Sequence, residues 1–431
     1  STFESSNRIF NAAHRLIEKA VRSNMQSVFT DCPHREKLGW LEQVHLNGPG
    51  LLYNYDLTAY APQIIQNMAD AQHTNGAMPT TAPEYVVFEG PGMDAFAESP
   101  EWGGSLVIFP FMYYETYGDD SLIKKYYPNM RRYVDYLKTR AEMGILSFGL
   151  GDWYDYGDFR AGFSRNTPVP LVATAHYYMT VMYLIKAAKM VSNDFDIHYY
   201  TSLAHEILAA FNKCFLNKET AQYGTGSQCS NALPLFLQMA QDSDEQGSYQ
   251  PDAKLDEKVL MNLIKDVEAH GNRLTTGDVG NRYLIQTLAR NGQHELIYKM
   301  FNHEEAPGYG FQLKFGATTL TEQWDPRQGS SWNHFMMGQI DEWFFNSLVG
   351  IRPSTTYQKF IIAPQPVGDL KYVKASYETL YGTIVVDWTS QNGTFTLNVS
   401  VPVNTTAVVY LPGEKEPKEI QSGTYKLVCA K

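Results

Sequence analysis

Hydrophobic positions recur at helical spacing through most of the first 350 residues. After Asp119-Asp120, a pair suited to capping a helix, Leu122, Tyr126, Met130, Tyr133, Val134 and Leu137 fall on one face. Ala173 to Val191 repeats the pattern through Tyr177, Val181, Leu184, Ile185 and Ala188, and Ile197 to Phe211 repeats it again. The spacing predicts about eleven helices, near 5–22, 47–71, 103–118, 120–142, 169–192, 196–215, 228–241, 253–269, 276–291, 293–301 and 331–349. Short turns such as Tyr117-Gly118-Asp119-Asp120 join several of them in pairs. Helical hairpins that each bury one face close into a ring, an α/α toroid, and the absence of a fixed repeat length argues against a regular solenoid. Long loops rich in aromatics and glycine interrupt the helices at 23–50, 75–103, 143–168 and 303–332. Helix connections usually run ~2–8 residues, so four long ones point to function.

Beyond Gly350-Ile351-Arg352-Pro353 the period changes to two. Phe395, Leu397, Val399 and Val401 alternate with polar residues, as do Ile384, Val386 and Trp388 and, less cleanly, Val408, Tyr410 and Pro412. Turns such as Gln391-Asn392-Gly393 separate them. The expected organisation is a helical domain over 1–353 followed by a small antiparallel β-sandwich over 354–431.

Composition narrows the function. With 29 Tyr, 22 Phe and 7 Trp the chain has too much apolar surface for a disordered protein. A formal charge of −11 with no basic stretch argues against nucleic acid as a partner. No apolar run approaches the ~20 residues needed to span a bilayer. Cys32, Cys214, Cys229 and Cys429 are scattered and form no CxxC pair, so neither a zinc ribbon nor a thioredoxin motif is supported. The chain starts Ser1-Thr2-Phe3 with no initiator Met and no signal peptide, which predicts a processed chain or an excised part of a longer one.

Candidate chemistry concentrates in the long loops. The first holds Thr30-Asp31-Cys32-Pro33-His34-Arg35-Glu36-Lys37-Leu38-Gly39-Trp40-Leu41-Glu42-Gln43. Three others again put a carboxylate beside Trp: Glu98-Ser99-Pro100-Glu101-Trp102, Gly151-Asp152-Trp153-Tyr154-Asp155-Tyr156 and Thr321-Glu322-Gln323-Trp324-Asp325. Sugars are bound by this combination, because an aromatic face covers the C–H face of the ring while carboxylates accept its hydroxyl hydrogens. Glycosidic cleavage also needs two carboxyl groups flanking the bond. For any one loop, a Trp core plug and a salt-bridged carboxylate explain the residues better; the recurrence in four loops favours a sugar site. Other chemistries lack their motifs: there is no HExxH, GxSxG elbow, P-loop or dinucleotide fingerprint.

These stretches resemble the glycoside hydrolase family 78 α-L-rhamnosidases. The resemblance rests on TDCPHREKLGW, NMADAQHTNGAMPTTAP, LTTGDVGNRYL, GATTLTEQWD and SSWNHFMMGQIDEWFFNSLVGIRP, in that order over roughly residues 20 to 354. It implies an (α/α)6 barrel and inverting hydrolysis of terminal α-L-rhamnosides, with Glu36 as general acid and Glu322 as general base. It places Asp31, Arg35, Trp40, Glu42, Trp102, Asp152, Trp153, Trp324 and His334 at the sugar. It implies no metal or cofactor, an oligo- or polysaccharide or rhamnosylated glycoside as partner, and β-domains ahead of the barrel. Periplasmic, cell-surface or secreted placement suits such an enzyme, with the cytoplasm left open. Two positions depart from the family pattern. Many members carry Thr-Gly-Asp where this chain reads Leu41-Glu42-Gln43, and Trp-Gly-Asp where it reads Trp102-Gly103-Gly104; either Glu42 takes over the role of the first missing carboxylate one position early, or the subsite differs. A glycosidase or polysaccharide lyase for another sugar, or a non-catalytic glycan-binding protein, are the competing readings. The flanking cations Arg35 and Lys37 would lower the Glu36 pKa, so the acid role needs them turned away or outweighed.

Overall fold

The computed structural model describes residues 1–243, 249–354 and 356–430. Helices buried on nearly every side form an inner ring: Gly48–Asn54, Ser105–Tyr117, Val169–Met190, Gln228–Phe236, Asp278–Arg290 and Ile340–Trp343 with its π-helical continuation Phe344–Val349. Each packs on the next, and the last packs back on the first, which closes the ring. Apolar residues occupy every face of Ser105–Tyr117 and Val169–Met190 because both sides are covered. Arg8–Asn24, Tyr60–Ala71, Ser121–Arg140, Asp194–Phe215, Ala253–Ala269 and His294–Phe301 surround them and are amphipathic, with one stripe on the ring and one in water. The fold is therefore a six-hairpin α/α barrel.

Local chemistry moves several boundaries. The first helix starts at Arg8, not near residue 5, because Asn7 accepts the amides of Ile9 and Phe10 at 2.9 and 3.0 Å and caps it there. The single helix expected over 47–71 is broken where Asp56 accepts the Thr58 amide at 2.9 Å. Residues 331–339, expected as helix, are not helical, and Ser331 and His334 pair instead with Glu322 and Leu320. Asp120 occupies the cap position of Ser121–Arg140, but the side chain that accepts an amide there belongs to Asp119, from Ser121 at 2.9 Å.

The C-terminal part is a sandwich of two sheets. One is antiparallel, in the order Thr2–Ser5, Tyr372–Thr379, Gly382–Gln391, Thr394–Val401, Gly423–Ala430. Its first strand is the N-terminus of the chain, a segment without a period-two signal of its own. The other sheet runs Lys418–Ile420, Thr406–Val409, Lys359–Ile362, Ile351–Pro353, and its two central strands are parallel. Phe395, Leu397, Val399, Val401, Ile384, Val386 and Trp388 are buried, as their alternation predicts. The reading of Val408, Tyr410 and Pro412 as an inward set fails by one residue: Ala407, Val409 and Leu411 point inward, and Tyr410 faces water. A shift of one position turns a strand over, and that segment had too few apolar residues to fix the parity. Trp388 donates its ring N–H to the Leu348 carbonyl at 2.8 Å, and Phe3 stacks on Phe344 with centroids 4.8 Å apart, so the sandwich is seated on the end of the last inner helix.

Candidate active site

At the end of the barrel where the inner helices begin, the long loops enclose a cavity of about 210 Å³. The loop after the first helix is closed by a reciprocal pair: the Asp31 amide donates to the Leu38 carbonyl at 3.0 Å, and the Leu38 amide donates to Asp31 Oδ1 at 3.1 Å. This pinches Arg35 and Glu36 onto the tip. Lys37 takes φ +58° and leaves its side chain exposed and away from the cavity. From the other end of the chain, Glu322 and Ser331 form a second reciprocal pair, with amide contacts of 2.9 and 2.8 Å, and the His334 amide donates to the Leu320 carbonyl at 2.9 Å. Glu322 and His334 are thereby set side by side. The Leu320 amide bonds the Leu16 carbonyl at 3.1 Å and ties this loop to the first helix. The third wall is the loop through Trp153. It sits on the start of the helix Asp278–Arg290, where the Asp278 amide donates to the Trp153 carbonyl at 2.9 Å. Only glycine permits that approach: a Cβ on Gly277 would lie 2.0 Å from the same oxygen.

Nine of the eleven residues expected at the site line this one cavity: Asp31, Arg35, Glu36, Trp40, Glu42, Trp102, Trp153, Glu322 and His334. Asp152 and Trp324 do not. Asp152 is fully buried beneath the floor and accepts the Gly280 amide at 2.6 Å. Trp324 stands edge-on to Tyr309 and faces a smaller neighbouring cavity. Two other acidic residues of the Trp-bearing loops have structural roles, Glu98 paired with Arg140 and Asp325 with Arg327. Glu42 does face the cavity, while Gln43 is turned into the core. At position 104 a Cβ would lie 3.0 Å from the Pro100 carbonyl and 3.4 Å from Ile108 and Thr180, so this packing leaves little room for the carboxylate of the family pattern.

Phe96, Leu150, Tyr154 and Met336 also line the cavity and escaped the sequence reading. Phe96 meets Trp153 edge-on at 5.4 Å and extends the aromatic wall towards Trp40. The Tyr154 hydroxyl donates to Glu322 Oε1 at 3.1 Å. Tyr154 stood in a loop already marked by Asp152 and Trp153, but nothing in its spacing distinguished it.

The charges divide into two sets. Glu322 is held below the ordinary carboxylate range. Burial pushes it up, but His334, the Ser331 amide and Arg35 outweigh that. His334 itself is lowered to about 4 by burial, so at neutral pH the work falls to Ser331 and Arg35. The His334 Nδ1 accepts the Met336 amide at 3.2 Å, which leaves Nε2–H as the donor on the cavity side. In the opposite sense, burial raises Asp31 to about 7, with Glu36 adding to it, and raises Glu42 to about 8. At neutral pH Glu42 therefore enters the cavity mainly as a carboxylic acid able to donate as well as accept, while Asp31 is divided between its two forms. Arg35 bridges the sets: its Nη2 lies 2.7 Å from Glu36, 3.2 Å from Glu322 and 3.9 Å from Asp31. Arg35 is therefore not confined to Glu36. Among the described residues, the donor atoms that converge as a metal would require belong to Asp31, Cys32 and Glu36, all within 4.8 Å. The guanidinium beside both carboxylates already supplies positive charge there.

A family model described as the bacterial alpha-L-rhamnosidase six-hairpin glycosidase domain matches residues 1–348, and the bacterial alpha-L-rhamnosidase C-terminal domain matches 350–426. An alpha-L-rhamnosidase of Formosa agariphila is 29% identical over 95% of this chain and 44% of its own length. The solved alpha-L-rhamnosidase from Dictyoglumus thermophilum superimposes with a TM-score of 0.87 at 29% identity, over all of this chain and 50% of that one. That of Streptomyces avermitilis, complexed with L-rhamnose, does so with 0.87 at 25% identity, over 99% of this chain and 42% of that one. The chain thus spans about half the length of the relatives it matches.

Proposed function

The chain belongs to the bacterial alpha-L-rhamnosidase six-hairpin glycosidase family, and on that premise we propose that it forms the catalytic pocket of an inverting glycoside hydrolase that removes terminal α-L-rhamnose from a glycan or glycoside. The observation that carries the reading is the convergence of Glu36 and Glu322, 286 positions apart in sequence, on one half-enclosed cavity of about 210 Å³ walled by tryptophans. A cavity of that size suits one sugar ring.

In this reading Glu36 donates its proton to the leaving glycosidic oxygen while Glu322, ionised, draws one from the water that attacks the opposite face of C1. Asp31, Glu42 and His334 hydrogen-bond the ring hydroxyls. In the free pocket Arg35 draws the two glutamates onto one nitrogen, closer than the ~6.5–9.5 Å that an inverting pair needs for its water. The sugar must therefore displace the guanidinium from at least one of them.

Hydrolysis of a chromogenic α-L-rhamnoside, followed by NMR of the first-formed anomer, tests the reading. Inverted product from wild type is expected. Glu322→Gln should be inactive on every substrate, whereas Glu36→Gln should retain relatively more activity on the aryl rhamnoside, whose acidic leaving group needs less protonation, than on a disaccharide. Retained anomeric configuration would overturn the mechanism. A wild type inert on all rhamnosides would overturn the substrate.

A further inference from the structure

A second cavity, of about 470 Å³, lies at the opposite end of the inner ring, under the β-sandwich. Its lining comes from the late turns of the inner helices and from the first strand beyond them, and it carries four cations, Lys186, Arg282, Arg290 and Arg352, against two carboxylates, Glu115 and Glu342. Arg282 and Glu342 neutralise each other: Nε and Nη2 of the arginine donate to the two carboxylate oxygens at 2.8 and 3.1 Å, and both residues are buried. The other three cations have no such partner. Among the described residues, none of Lys186, Arg290 and Arg352 has a carboxylate within ion-pair distance. Lys186 Nζ rests 4.8 Å over the Tyr183 ring. The Arg290 guanidinium lies 3.9 Å over the Phe236 ring and donates only to the Phe236 carbonyl, at 3.3 Å. Glu115 makes no ion pair, and burial pushes its carboxyl up towards the neutral form despite the surrounding cations. Burial and the neighbouring Arg282 lower Arg290, and the opposing pull of Glu342 and Glu115 does not cancel them.

We propose that this cavity binds a small multivalent oxyanion, a phosphate or sulfate group or a compact polycarboxylate, held by Lys186, Arg290 and Arg352. Arginine forks suit such oxygens, and the lysine adds a point charge to the same lining. Because Arg352 belongs to the sandwich side and Lys186 and Arg290 to the barrel, the anion links the two. The site stands apart from the sugar pocket, and its test does not depend on the hydrolase reading.

The test is calorimetric titration of the whole chain with sodium phosphate, sulfate and citrate at fixed ionic strength, alongside thermal denaturation in the same solutions. The expected result is one saturable site for at least one anion, with Tm rising as it fills. Lys186→Gln, Arg290→Gln and Arg352→Gln should each weaken binding on the order of tenfold or more. None of these side chains has a carboxylate partner to abandon, and anion-free melting of each variant near the wild-type temperature would establish folding. Absence of saturable heat with all three anions, or unchanged affinity in the variants, would overturn the site and leave the cations as partners of the helix C-termini. The wild-type titration decides the matter even if a variant fails to fold.

Discussion

Arg35 donates to Glu322 at 3.2 Å across 287 residues of sequence, from the same nitrogen that reaches Glu36 at 2.7 Å. The pair bears on ionisation: in the proposed mechanism the base must be charged to act, and Arg35 is one of the groups that hold Glu322 in its charged form. Arg35→Gln removes the guanidinium and lets burial of Glu322 dominate. The acid limb of the kcat/KM profile should then move up by roughly one pH unit. A limb unmoved by the substitution would show that Arg35 does not tune the base.

Tyr154 offers a second handle on the same carboxylate. Its hydroxyl contributes one hydrogen bond to Glu322 Oε1, and a bond to a charged acceptor is worth about 1.5–3 kcal/mol. Tyr154→Phe should lower kcat roughly tenfold or more and shift the acid limb the same way as Arg35→Gln, leaving the folded state intact. Unchanged kcat would reduce Tyr154 to a wall residue.

The pocket floor makes stability depend on pH. Burial raises Asp31 and Asp152 to about 7 and Glu42 and Glu101 to about 8, far above an unfolded carboxyl near 4. Between roughly pH 6.5 and 8 these carboxyls hold more protons in the folded chain than in the unfolded one, and stability falls as pH rises through that window; below it the buried His45, His176, His294 and His334, lowered to about 3 or 4, hold fewer protons than in the unfolded chain and offset them. Thermal melting should show Tm several degrees higher at pH 6.5 than at pH 8.5, and Glu101→Gln should flatten the slope. A Tm that climbs between those values would contradict the assignment.

The N-terminal strand should be integral to the fold. Thr2–Ser5 pairs antiparallel with Tyr372–Thr379, and Phe3 stacks on Phe344 and touches His14 at 5.4 Å. Phe3→Ala should cost about 3 kcal/mol, read as a lower urea midpoint at an unchanged slope. A midpoint within experimental error of wild type would show the strand to be dispensable.

Much of this was legible in the residues. Periodicity located the helices because burial of one face is a local property, repeated every turn. The carboxylate-tryptophan loops marked the cavity walls because such residues are costly to bury without a purpose. Where the signal was short, the reading slipped, as at Ala407 and Val409, where a one-residue parity error turned the strand over.

What the sequence determined by itself was the set of local segments, their apolar faces and the loops that carry the acids, since each depends on neighbours a few positions away. What only the tertiary structure decided was which distant groups share a partner. Closure of the helical ring brings Arg35 to Glu322, sets Tyr154 on the same carboxylate, withdraws Asp152 and Trp324 behind the wall and recruits Thr2–Ser5 into a sheet whose other strands begin 370 residues later. None of these has a sequence period. Each is fixed by where two remote backbones must lie when the core between them is filled.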